Sequence, residues 1–412
     1  MKTYAVRLYG KHDLRLESFD LPAMQEDQIL AEVVTDSICM STLKLVNQGQ
    51  SHKKAPDNLA ENPVIIGHEF CGKILDVGAK WAHKYKKGDH FVIQANLLLE
   101  DKPYSCPGYS YHDMGGDATY AIISDDVMRA DCLIPYNGDT YFEGSLMEPL
   151  SCVIGALDSQ YHVPLGTHTH EMGIKENGNL LIMAGTGPMG LLAVDYALHN
   201  PDKKPKHIVV TDRHQDKLDR AEKYYPSQNG VEVTYVNVKG LADETQYLMD
   251  LSNGEGYDDI IVMAGTPGAL KEASDLAADD ACIDFFAGPQ DKNFMAEVNF
   301  YDVHYSRTHY FGISGGVADD MRKAVKLVEE GVVHPATIVT HVLGLNEAAY
   351  VTEHQKEVGG AKKIVYTHKN MDLTKLADID PDSELGKILA KTDGIWSKEA
   401  EAYVLTNMKE IA

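Results

Sequence analysis

Residues 178–212 constrain this chain more than any other stretch. Residues 180–184 (Leu-Leu-Ile-Met-Ala) form a short continuous apolar run, the pattern of a strand buried on both faces. Gly185, Gly187 and Gly190 follow at the spacing of a phosphate-cradling turn, and residues 191–198 continue as an apolar helix. Residues 208–211 read as a second buried strand, which Asp212 ends. In such a pattern Gly185 permits the tight turn, Gly187 lets backbone approach a pyrophosphate, and Gly190 lets helix and strand pack closely. Pro188 and Met189 open the helix, whose free N–H groups and positive dipole end suit phosphates. A carboxylate at Asp212 accepts both hydroxyls of an adenosine ribose and repels a 2′-phosphate, whereas Arg213 would fold over the adenine or meet a 2′-phosphate. The expectation is a dinucleotide site for NAD(H), with NADP(H) use open.

The remainder of the chain decides what is done with a dinucleotide. At 412 residues there is ample length for two or three domains. The balance of 62 acidic against 38 basic residues, a net charge of −24, excludes a nucleic-acid or anionic-membrane surface, because both need a basic field. No apolar run approaches the length of a membrane span, and the N-terminus lacks a signal-peptide core. Six cysteines lie scattered without close pairing, which reads as a reducing cytoplasm with free thiols or metal ligands.

Residues 1–160 read as a strand-rich domain. Tyr4, Val6 and Leu8 alternate, residues 10–13 turn, and Leu14 and Leu16 continue as in a hairpin. Residues 28–34, 69–77 and 90–94 are further strands, and the polar, His-rich residues 161–179 read as a connecting loop. Residues 161–310 make the next domain, where from residue 180 strand and helix alternate, which means a parallel sheet. Residues 311–368 carry a helical pattern over 319–330 and a closing strand at 364–366. In residues 369–412 two apolar stripes, Leu385, Ile388, Leu389 and then Trp396, Ala400, Tyr403, Val404, Met408, Ile411, predict helices that dock on the body or on a neighbouring subunit.

Ahead of the nucleotide unit lie Cys39, the pair His68 and Glu69, and Glu148. One thiolate, one imidazole and a carboxylate would make a three-ligand zinc site with an open fourth position, the catalytic arrangement, where the metal polarises an alcohol or carbonyl oxygen. Each residue alone is more often a packing or surface residue, and the long separations give no local spacing test.

Taken together these residues resemble the zinc-dependent medium-chain dehydrogenases that act on alcohols and polyols. The resemblance rests on Cys39-x-Ser41, Gly67-His68-Glu69, Lys87-Gly88-Asp89, residues 115–120 (Gly-Gly-Asp-Ala-Thr-Tyr), Glu148-Pro149, the three glycines and Thr340-His341, in the family's order. It implies a GroES-like, mainly β catalytic domain joined to a Rossmann doubly wound sheet, an α/β protein with a C-terminal helical extension. It implies that Cys39, His68 and a carboxylate bind catalytic zinc, with Glu148 at the third-ligand position and Glu69 able to take a turn on the metal. Ser41 matches the hydroxyl that passes the alcohol proton. Three departures stand out. Thr42 replaces an aspartate that orients the zinc histidine. Lys44 replaces a relay histidine, and its ammonium either attracts an anionic substrate or is a solvated side chain. Between residues 94 and 115 Cys106 stands alone where many members carry four cysteines, so no structural zinc is expected and one zinc per subunit follows.

Chain length, the opening at residues 7–16 and the tail are similar to bacterial sorbose-1-phosphate reductases, which reduce L-sorbose 1-phosphate to D-glucitol 6-phosphate. Lys44, Lys53, Lys54, Arg129 and Arg307 are candidates for a phosphate pocket, and the sequence does not choose among them. An unphosphorylated polyol or secondary alcohol as substrate, and a non-catalytic dinucleotide sensor, are the alternatives. The resemblance also implies a cytoplasmic homo-oligomer, a dimer or tetramer, with a small-molecule sugar phosphate or polyol as its partner.

Overall fold

The computed structural model describes residues 1–289 and 291–411. Residue 290, within the expected dinucleotide domain, and residue 412, the last of the expected extension, lie outside that description. The chain divides into two compact units, Met1–Pro149 with Val317–Ala412, and Leu150–Gly316. The division falls inside the helix Met147–Asp158, ahead of the boundary expected after residue 160.

The first unit opens with a hairpin, β1 (Lys2–Gly10) and β2 (Asp13–Asp20), paired from Lys2↔Asp20 to Gly10↔Asp13. Further strands are β3 (Ile29–Ser37), β4 (Val64–Ile65), β5 (Phe70–Val77), β6 (His90–Ile93), β7 (Tyr120–Ile123) and β8 (Leu133–Pro135). Alternating Ile29, Ala31 and Val33 of β3 pack with Phe70, Ile74, Phe91 and Ile93 into one apolar core. The helix Met40–Gln48 directly follows β3, and Cys39 is its N-cap residue.

In the second unit the expected connecting loop contains a small two-stranded arm, β9 (Tyr161–His162) against β10 (Glu171–Met172). Two-residue strands are too short to show an alternation in sequence, so such a stretch reads as a loop. Then come β11 (Asn179–Met183), β12 (His207–Asp212), β13 (Glu232–Asn237), β14 (Tyr257–Val262), β15 (Ala277–Asp284) and β16 (His309–Phe311). They form one sheet in the order β13-β12-β11-β14-β15-β16, every pair parallel. Right-handed crossovers make the order reverse at β11, which sends helices to opposite faces and opens a ligand crevice at the C-terminal ends of β11 and β14. This is the doubly wound dinucleotide fold.

The returning segment completes the first unit. After the helix Ala318–Glu329 come β17 (Val339–Gly344), β18 (Lys362–Tyr366) and β19 (Thr374–Lys375), giving the sheet order β19-β17-β18-β3-β5-β6-β8, with β7 also on β3. Both expected tail helices exist, Glu384–Ala390 and Lys398–Asn407, N-capped by Ser383 and Ser397. Part of their apolar stripe, Ile388, Leu389, Trp396, Ala400 and Val404, is buried within the unit. Trp396 is 1% exposed and its Nε1 donates to the Tyr366 hydroxyl at 2.7 Å. Glu401 accepts the amides of Tyr141 and Phe142, both at 2.8 Å. Among the described residues no helix is long and apolar enough to cross a membrane.

Candidate active site

The helix that follows β3 and the turn that precedes β5 bring Cys39, His68 and Glu69 together. One ligand atom from each lies within 4.8 Å of the others; Cys39 keeps partial exposure while His68 and Glu69 are buried. The approach depends on Gly67, whose φ is +87° and whose added Cβ would meet the Asp117 amide at 2.6 Å. Donor atoms around a tetrahedral zinc stand roughly 3.3–3.7 Å apart, so these three need only side-chain adjustment to close on an ion. The donor set, one sulfur, one imidazole nitrogen and a carboxylate, fits zinc.

The surroundings set the state of each donor. Enclosure pushes the Cys39 thiol up to about 12, with the Glu69 carboxylate adding to it, so a thiolate here requires a cation. Burial pulls the His68 imidazole down to about 4, which leaves it neutral, as a ligand must be. Its Nδ1 lies 3.3 Å from the Thr42 hydroxyl, and its Nε2 lies 3.2 Å from the Ser41 hydroxyl. The Thr42 hydroxyl is thus the partner of His68 Nδ1, at the position where the resemblance leads one to expect an aspartate.

Ser41 is the hub of the polar groups. Its hydroxyl donates to Cys39 Sγ at 3.1 Å and accepts from the Tyr109 hydroxyl at 2.8 Å. The Tyr109 ring also lies 5.0 Å from the His68 ring and stacks on His52 at 5.5 Å. Glu69 receives the Ser37 hydroxyl and the Lys362 ammonium on the same oxygen, Oε2, so its second oxygen keeps its lone pairs. Burial alone would push the Lys362 ammonium down, but Glu69, Cys39 and Glu148 outweigh it and hold the group charged. Sequence reasoning missed Lys362 and Tyr109. Two consecutive lysines opening a strand look like surface residues, and Tyr109 lies in an irregular loop with no motif around it.

Glu148 is separate from the three-residue group. It sits in the first turn of Met147–Asp158, 8% exposed, and its field reaches Cys39 and Lys362. Lys44 lies half-buried on the helix after Cys39, among the lysines whose charge acts on His52.

In the second unit the nucleotide turn has the geometry its glycines require. A Cβ at Gly190 would lie 2.2 Å from the Gly185 carbonyl oxygen, and one at Gly185 would lie 2.7 Å from the Ile182 side chain. Gly187 is the N-cap of Pro188–His199 with nothing within 4 Å of an added Cβ, so the space before the helix end is open to a phosphate. Pro188 occupies the first helical turn, where a missing N–H costs nothing, and Met189 follows it. Asp212 closes β12. Burial pushes its carboxyl up, yet the Thr186 hydroxyl, His214 and the Arg213 and His214 amides together hold it below the usual carboxylate range. Arg213 follows directly on the surface side of that turn.

Comparison with known proteins agrees with both units. Residues 25–131 match the alcohol dehydrogenase GroES-like domain and residues 188–330 match the zinc-binding dehydrogenase domain. The chain is 54% identical to L-sorbose 1-phosphate reductase of Klebsiella pneumoniae over 409 residues, 99% of this chain and 98% of that one. It is 42% identical to mannitol-1-phosphate 5-dehydrogenase of Aliivibrio fischeri over 415 residues, 98% of this chain and 97% of that one. Among solved structures, 2R,3R-butanediol dehydrogenase of Bacillus subtilis superposes with a TM-score of 0.71 at 21% identity, covering 88% of this chain and 99% of that one, a likeness of fold.

Proposed function

The chain belongs to the zinc-binding dehydrogenases with an alcohol dehydrogenase GroES-like domain, and from that premise we propose that it reduces L-sorbose 1-phosphate to D-glucitol 6-phosphate. As a member of that family it is an oxidoreductase acting on CH–OH groups. The observation that carries the substrate is that two relatives spanning nearly the whole chain, at 54% and 42% identity, are both named for hexose or hexitol phosphates.

In this reading Cys39, His68 and a carboxylate, Glu69 or Glu148, hold one zinc per subunit. When bound, that metal supplies Lewis acidity toward the substrate carbonyl oxygen. The side chains do the rest. Thr42 fixes the His68 ring, and Lys362 offsets the charge of Glu69 within a buried site. Ser41 would deliver the proton to the substrate oxygen, the Tyr109 hydroxyl bonded to Ser41 holds it in place, and a bound nicotinamide would supply the hydride. Overall the ketose takes up one hydride and one proton, and NADH becomes NAD+. Gly185, Gly187, Pro188, Met189 and Gly190 would hold the cofactor, and Asp212 would favour NAD(H) over NADP(H), with Arg213 beside it. Lys44 lends positive charge toward an anionic substrate. Cys106 alone between residues 94 and 115 is the basis for expecting no second, structural zinc. The working form is a cytoplasmic homo-oligomer, a dimer or tetramer.

Product identification with a panel of ketoses and both cofactors tests this. The expected result is D-glucitol 6-phosphate from L-sorbose 1-phosphate and NADH. A clear preference for L-sorbose and D-glucitol over their phosphates would overturn the substrate.

A further inference from the structure

A phosphorylated substrate poses a problem for a chain with a net charge of −24. The phosphate needs a local cation that is not already committed to a carboxylate. In a 1-phosphoketose reacting at C2, only C1 and the ester oxygen separate the reacting carbon from phosphorus. The cation must therefore stand within about one side chain of the groups that handle the carbonyl.

The basic residues divide sharply on these two criteria. Arg129 is tied to Asp101 at 3.0 Å and to Asp126 at 3.2 Å. Arg307, in the nucleotide unit, donates to the Val163 carbonyl at 2.8 Å and faces Asp280 at 3.7 Å. Lys362 is committed to Glu69.

Lys54 differs. Its ammonium lies 5.1 Å from the centre of the Tyr109 ring and 3.5 Å from Cys106 Sγ. Among the described residues no carboxylate comes within ion-pair distance of Lys54 or of Lys53, whose ammonium lies 5.5 Å from the Tyr104 ring. Tyr109 is the side chain that bonds Ser41 and lies beside His68, so Lys54 stands one ring away from the proton donor. Its backbone is fixed: the Ser110 hydroxyl donates to the Lys54 carbonyl at 2.7 Å, and the Lys54 amide donates to His52 Nδ1 at 3.3 Å. Burial and the charges of Lys54, Lys53 and Lys44 pull His52 down to about 4, which leaves His52 a neutral neighbour.

We propose that Lys54, with Lys53 on its solvent side, is the cation that binds the phosphomonoester of the substrate. This rests on the sugar-phosphate reading above. Lysine is suited to the task as a point charge with three donors. Such a pair of cations lets an acidic protein admit a phosphate close to its reacting centre.

The test compares wild-type holoenzyme with Lys54→Met and Lys54→Arg, using L-sorbose 1-phosphate and L-sorbose as substrates and inorganic phosphate as inhibitor. In Lys54→Met the ratio of kcat/KM for the phosphorylated over the unphosphorylated ketose falls by about 10- to 100-fold, chiefly through KM. Inhibition by phosphate weakens by a similar factor, and Lys54→Arg recovers most of both. A ratio and an inhibition constant equal to wild type in Lys54→Met would overturn the assignment. A wild-type enzyme without preference for the phosphorylated ketose would instead overturn the substrate reading, and the assignment with it. Because Lys54→Met could lose its fold, a second measurement uses the wild type alone. Inorganic phosphate should protect Lys54 from amine acylation, read by peptide mass spectrometry, while Lys217 stays reactive; equal labelling of both with and without phosphate would again overturn it.

Discussion

Replacing Glu401 tests whether the tail is part of the catalytic unit's own structure. Its carboxylate, 4% exposed, accepts the Tyr141 and Phe142 amides at 2.8 Å each, and so caps the short helix Tyr141–Gly144 from a segment 260 residues away. Glu401→Ala strands both donors. An unsatisfied buried donor costs about 1–3 kcal/mol, and water reaches the half-buried Tyr141 end more easily, so the expected loss is about 2–4 kcal/mol. Burial also pushes the Glu401 carboxyl from 4.5 up to about 7. The native chain therefore binds this proton more tightly than the unfolded chain. The stabilisation from that proton is fully present below the unfolded value and is lost as pH rises through about 7. Denaturant melts of wild type, Glu401→Ala and Glu401→Gln across that window provide the assay. Glu401→Ala should lose its midpoint at every pH, and Glu401→Gln should flatten the pH slope. A Glu401→Ala protein within about 0.5 kcal/mol of wild type would refute the cap, since that is the spread of ordinary surface changes.

Other consequences concern the two binding units. Gly187→Ala should leave the thermal melt unchanged, since nothing lies within 4 Å of the new Cβ, yet weaken NADH binding about tenfold or more by obstructing the phosphate. Gly190→Ala should instead lower the melting temperature, because its Cβ would lie 2.2 Å from the Gly185 carbonyl oxygen. If both variants behave alike in melts and in fluorescence titration with NADH, the separation of roles is wrong. Thr42→Val removes the partner of His68 Nδ1 and should weaken zinc binding about 10- to 100-fold in chelator competition. Unchanged affinity would mean that packing against Tyr109 alone orients the ring.

The nucleotide unit was legible in the sequence because its information is local. Buried parallel strands read as unbroken apolar runs, and the glycines declare their turn by spacing alone. The tail helices were equally readable, since their stripes persist over several turns. Met147–Asp158 carries Leu150, Val153, Ile154 and Leu157 at helical spacing, all fully buried or nearly so, a pattern present in the sequence and missed because it is only two turns long. Elsewhere the signal was not local. Cys39, His68 and Glu69 were nameable as ligand types, but their convergence depends on β3 pairing with β5 across distant sequence. The partners of those residues were invisible for the same reason: Lys362 lies 293 positions from Glu69, and Tyr109 lies 68 from Ser41. Whether a stripe meets its own chain or another subunit is likewise undecidable from periodicity. Here Trp396, Ala400 and Val404 are buried within the first unit.

The central claim is that Cys39, with His68 and a glutamate, holds the metal on which turnover depends. Metal analysis paired with reduction of L-sorbose 1-phosphate, in wild type and in Cys39→Ser, addresses it directly. The account predicts about one zinc per chain in the wild type and loss of both zinc and turnover in the variant. A metal-free Cys39→Ser enzyme that still turns over would contradict it.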